Sequence, residues 1–89
     1  MVSFAQDGSD QQLAQHYYNN GEFDKALIYY EKLFGESPSK INFSRYVECL
    51  TETGDVKKAE KTFKKQISRD RNNQEYKILF AKFYEGQGK

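Results

Sequence analysis

The sequence predicts an all-α chain of five short helices, arranged as antiparallel pairs in an α-solenoid. Three observations carry this. Apolar residues recur every three or four positions in five separate segments, and no segment alternates polar with apolar residues as a strand would. The interior glycines and the one proline fall between those segments, where helices stop. The stretch Tyr17–Leu33, YYNNGEFDKALIYYEKL, also finds its register again in Leu50–Gln66, LTETGDVKKAEKTFKKQ.

The first helix is expected over 10–20. Its short stripe is Leu13, Tyr17 and Tyr18, and Ser9 with Gln12 has capping-box spacing. The second runs over 23–36 on Phe23, Ala26, Leu27, Tyr30, Leu33 and Phe34, stepping by three and four. Gly35 and Pro38 close it, and Ser39 is placed to cap the third helix over 40–53, whose stripe is Phe43, Tyr46, Val47 and Leu50. Gly54 and Asp55 then stop one helix and start the next, 55–69, which carries Val56, Ala59, Phe63 and Ile67. The fifth, 74–87, follows an Asn72–Glu75 capping pair and carries Tyr76, Phe80, Phe83 and Tyr84. Helices this short are marginal alone in water, so packing of the stripes must hold them.

At 89 residues the chain is one small domain or a piece of a larger one. Aromatics make up 16% of it, all Tyr and Phe, which excludes a disordered composition. The net charge of +1 hides an asymmetry. Residues 1–36 hold six acidic and two basic groups, a net of −4, and the remainder holds seven acidic and twelve basic groups, a net of +5. One Cys permits no internal disulfide, and one Cys with one His makes no zinc-ligand cluster. No run of about 18 apolar residues exists to span a membrane. Ser3-Phe4-Ala5 has the small-x-small pattern of a signal-peptidase site, without the basic and apolar regions that should precede it. Residues 1–8 are therefore expected as a disordered leader, read either as an export-signal remnant or as a plain tail. The compartment is exported or periplasmic on the first reading and cytoplasmic on the second.

The register defines a repeat of helix–turn–helix. Tyr17, Ala26, Tyr30 and Leu33 step by nine, four and three, and Leu50, Ala59, Phe63 and Gln66 step identically. The chain resembles the tetratricopeptide repeat, whose signature is Trp-x2-Leu-Gly-x2-Tyr, then Ala-x3-Phe, then Pro. The first unit, 9–39, reads Asp10-x2-Leu13-Ala14-x2-Tyr17, Ala26-x3-Tyr30, Pro38. The second, 40–73, reads Phe43-x2-Tyr46-Val47-x2-Leu50, Ala59-x3-Phe63, with Arg71 where Pro is expected. The third, 74–89, reads Lys77-x2-Phe80-Ala81-x2-Tyr84 and has no second helix. The resemblance implies a right-handed solenoid over 9–89. Ala26 and Ala59 then sit where paired helices come close, and aromatic residues fill the wedges. The fifth helix, with Tyr76, Ile78, Leu79, Phe80, Phe83 and Tyr84, is too apolar for a polar capping helix. It therefore suggests an N-terminal portion of a longer array, or self-association through that helix.

The resemblance also implies a protein or peptide partner in a concave groove lined by first helices. By register that groove holds Gln11, Gln15, Tyr18 and Asn19; Ser44, Arg45, Glu48, Thr51 and Glu52; and Ile78, Lys82 and Glu85. Chaperone-adaptor members clamp a peptide's terminal carboxylate with Lys and Asn. The matching positions here hold Gln11, Gln15 and Arg45, with Glu75 and Leu79 where further cations belong, so that clamp is not supported. What remains is a mixed polar groove with Tyr18 exposed as a stacking ring.

Two other features invite a chemical role. His16 and Cys49 share a register position, yet no third ligand accompanies them, and packing at a helix contact is the plainer reading. Lys57, Lys58, Lys61, Lys64 and Lys65, with Arg69 and Arg71, could face phosphates of nucleic acid or an anionic surface. The i,i+4 spacing of Lys57, Lys61 and Lys65 suits a solvated stripe instead. No Gly-rich phosphate loop, Ser-His-Asp set or paired carboxylate appears, so catalysis and cofactors are not expected. The expected function is a non-enzymatic scaffold for protein–protein contact. The alternatives are a basic-helix binder of nucleic acid or anionic surfaces, or a spacer without its own ligand.

Overall fold

The computed structural model describes residues 6–88, with side chains described from Asp10 onward. It holds five helices in order: α1 (Gln6–Asn19), α2 (Phe23–Glu36), α3 (Lys40–Glu52), α4 (Val56–Arg69) and α5 (Gln74–Gly86). No strand occurs among the described residues. Every boundary but one lies within a residue of the sequence expectation.

The exception is the start of α1. The helix begins at Gln6, so Ser9 lies inside it and does not cap it. Nothing between Gln6 and Ser9 breaks a helix outright. The rest of the expected leader, including Ser3, Phe4 and Ala5, lies outside the described residues. The later caps divide. Ser39 caps α3 in extended conformation, its Oγ accepting from the Asn42 amide at 3.2 Å. At α5 the cap is Asn73 rather than Asn72, with Oδ1 accepting from the Glu75 amide at 3.0 Å. Two adjacent Asn residues leave that choice open in sequence, and the helix start at Gln74 decides it.

The repeat is visible in backbone bonds as well as in letters. After α1, Gly21 takes a φ of 75°, its amide donates to the Tyr18 carbonyl at 3.1 Å, and Glu22 donates to Tyr17 at 2.8 Å. After α3, Gly54 takes a φ of 93°, donates to Thr51 at 3.1 Å, and Asp55 donates to Leu50 at 2.8 Å. Each partner is displaced by the same thirty-three positions. This is the glycine stop that satisfies the last carbonyls of a helix, and only a residue at home in left-handed backbone can supply it.

Packing groups the chain into two compact units, 1–55 and 56–89. In the first, α2 packs against both α1 and α3. Ala14, Ala26, Tyr30, Phe43 and Cys49 are fully buried, and Leu50 nearly so. Rings knit the layers: Tyr18 meets Tyr30 edge-on at 6.2 Å, and Phe34 lies 5.5 Å from Phe43 and 5.9 Å from Tyr46. Burying a large apolar side chain contributes about 2 kcal/mol, so these rings outweigh any cap. In the second unit α4 packs on α5. Phe63 stacks on Phe80 at 4.9 Å and touches Phe83 at 5.3 Å. Tyr76 and Ala59 are buried, whereas Ile78 stays exposed.

Candidate functional site

Helices α1 and α3 carry most of the groove residues expected from the sequence. Residues 11, 15, 18 and 19 share one side of α1, since three- and four-residue steps return to the same face. On α3 the positions 44, 45, 48, 51 and 52 do likewise. Two side-chain bonds tie these helices together. The Tyr18 hydroxyl donates to Glu48 Oε1 at 2.6 Å, and Gln11 Nε2 donates to Asn42 Oδ1 at 3.4 Å.

Tyr18 is the centre of the cluster, and it is not the freely exposed ring that the sequence suggests. It is half-buried, and the Arg45 guanidinium carbon lies 4.2 Å from its ring centroid. Phe23 meets it edge-on at 5.7 Å. The correction has a simple cause: Arg45 and Glu48 lie three apart on α3, so both reach the one ring facing them from α1. Arg45 is held in turn by Tyr30, whose buried hydroxyl accepts from Nη1 at 3.0 Å. The arrangement is a chain: Tyr30 fixes Arg45, Arg45 covers Tyr18, and Tyr18 donates to Glu48.

The electrostatics follow from this chain. The Glu48 hydrogen bond, with partial burial behind it, pushes the Tyr18 phenol up to about 12. Partial burial works against the Arg45 charge, but the bond to Tyr30 and the fields of Tyr18 and Glu48 outweigh it, so its pKa rises. Both shifts hold the two groups in their ordinary forms at neutral pH, a neutral phenol lying beneath a guanidinium cation.

Of the other groove residues, Gln15, Asn19 and Glu52 are exposed, and Ser44 is half-buried. Thr51 turns its hydroxyl onto the Val47 carbonyl at 2.8 Å, within its own helix. Lys82, Ile78 and Glu85 are exposed on α5, in the second compact unit. The sequence reading missed Asn42 and Tyr30 as supports. Asn42 is buried, and besides accepting from Gln11 it donates to the Ser37 carbonyl at 3.1 Å. Its signal was a polar side chain beside Phe43 on an apolar stripe.

His16 and Cys49 part company. Cys49 is fully buried, and burial is the first cause that drives its thiol up to about 12. His16 is exposed, close to Asn20 at 3.3 Å and edge-on to Tyr17 at 5.5 Å, so it does not fill a helix contact as expected. No three His, Cys, Asp or Glu side chains gather as a metal site among the described residues. On α4, Lys57, Lys58, Lys61, Lys64 and Lys65 are all exposed, and Lys64 lies 3.5 Å from Glu60. No described helix is long and apolar enough to cross a membrane.

A family model described as tetratricopeptide repeat matches residues 17–83. No curated protein and no solved structure matches the chain significantly. The match spans most of the chain, from the end of α1 to the ring cluster of α5. With the paired glycine stops and buried alanines, it shows that the chain belongs to the tetratricopeptide repeat family.

Proposed function

We propose that this chain is a protein–protein interaction module that holds a partner segment against the α1–α3 face. Tetratricopeptide domains generally mediate contact between proteins. The observation that supports this face is the linked set Tyr30, Arg45, Tyr18 and Glu48. It fixes a cation, a ring and a carboxylate in place before any partner arrives, and groups ordered in advance cost less to order on binding. Exposed amides at Gln15 and Asn19 flank the set and can pair with a partner's backbone.

A photo-reactive residue placed at Gln15 tests the assignment, with one at exposed Ile28 on α2 as control. The expected result is a crosslinked partner from the first position and none from the second. Loss of that product in a Glu48→Lys variant that keeps its helical circular dichroism would agree. Equal capture from both positions, or capture unaffected by Glu48→Lys, removes the face.

A further inference from the structure

We infer that the hollow between the end of α4 and the face of α5 is a docking site for an acidic partner segment carrying an aromatic or large aliphatic side chain. It is a separate surface from the α1–α3 face and stands or falls without it. The hollow is open to solvent on its outer side, has a volume of about 390 Å³, and is lined by Lys64, Ile67, Ser68, Arg71, Lys77 and Phe80. That volume is of the size small ligand sites take, enough for one or two side chains.

The lining has two parts. Ile67 and Phe80 supply the apolar surface. Phe80 is backed by Phe63 at 4.9 Å and by Tyr84 at 4.5 Å, so it is a rigid ring with a partner stack behind it. It nevertheless remains half-exposed. An incoming ring or branched chain would extend the stack and remove that surface from water. The polar part is Lys64, Arg71, Lys77 and the Ser68 hydroxyl, three cations with no carboxylate among the lining residues. Lys64 shares Glu60, but neither Arg71 nor Lys77 is held by a carboxylate among the described residues. Arg71 and Lys77 beside an apolar patch complement an apolar side chain flanked by carboxylates.

A polyanion track is the poorer fit. Of the five lysines on α4, only Lys64 lines the hollow. The rest spread along the exposed helix outside it.

The probe is a fluorescein-labelled peptide, Glu-Asp-Phe-Asp-Leu-Glu, acetylated and amidated so that no terminal charge contributes, read by fluorescence anisotropy with the full chain. We expect saturable binding that weakens with salt. Arg71→Glu and Lys77→Glu, both at exposed positions, should each weaken it about tenfold or more, since a reversed charge faces the peptide's carboxylates. Lys57→Glu, on the same helix outside the hollow, should leave it within about twofold. A peptide with Ser in place of Phe and Leu should lose most of its affinity. Several results would overturn the proposal: absent binding, equal weakening by Lys57→Glu, indifference to the Phe and Leu changes, or tighter binding of an oligonucleotide of equal charge. A concentration-dependent dimer that the peptide does not displace, seen by sedimentation, would assign the hollow to a second copy and overturn it too.

Discussion

Deleting one oxygen tests whether the α1–α3 cluster works as a chain. In Tyr30→Phe the ring stays, fully buried as before, and only the hydroxyl that accepts from Arg45 is lost. A hydrogen bond to a charged group contributes about 1.5–3 kcal/mol when its partner is sequestered. Arg45 is only half-buried, so water recovers part of the loss, and about 1 kcal/mol is the expected cost. For a domain of this size that lowers the melting temperature by roughly 4–8 °C. The discriminating measurement is a double-mutant cycle with Arg45→Met, which keeps the aliphatic stem and removes the donor. The two changes should couple by about 1 kcal/mol, because each removes the same bond. Tyr18 supplies a second readout: with Arg45 no longer anchored, its ring should become more accessible to an aqueous quencher. Additive losses, with unchanged Tyr18 accessibility, would show that Arg45 and Tyr30 are neighbours without being a support.

Three further outcomes are expected. Gly21→Ala should cost about 1 kcal/mol through backbone strain alone, because φ is 75° and no atom lies within 4 Å of the added carbon; thermal unfolding measures it, and a neutral result would mean the turn is free to change type. Folding favours the neutral Tyr18 phenol, so its contribution is whole below the ordinary tyrosine value near 10 and fades as pH rises towards about 12; alkaline denaturation should show this step, and Tyr18→Phe should remove it. Cys49 should react with a disulfide reagent at mildly alkaline pH only as fast as the fold opens, slower than a denatured control by a large factor; rapid labelling of the native protein would contradict its burial.

Helix ends were legible because glycine and proline act on their own neighbours. Gly21, Gly54 and Pro38 stop a helix whatever lies across from it, and those boundaries hold to a residue. The start of α1 was not legible, since Ser9 caps only if the chain before it leaves the helix, which no local rule decides. Buried positions followed from the stripe: Ala26, Tyr30, Ala59 and Phe63 are all inside. The state of Tyr18 did not follow. A helical face says that Tyr18 points toward a neighbour, but whether Arg45 and Glu48 reach its two ends depends on how far α1 lies from α3. Register names which residues share a surface; distance decides which of them engage one another. The hollow beside Phe80 was hidden for the same reason, because the stripe marked that ring as core and only coordinates show one side of it open.

The glycine stops carry a consequence for how such a chain changes over generations. Gly21, Gly54 and Gly88 all hold positive φ, and at the first two the residues that complete the stop lie within five positions upstream. The instruction to reverse direction is therefore written wholly within a few letters. A duplicated segment would bring its own bend with it, without help from the host. Lengthening by copying needs no new invention at the joint, only neighbours whose apolar flanks agree.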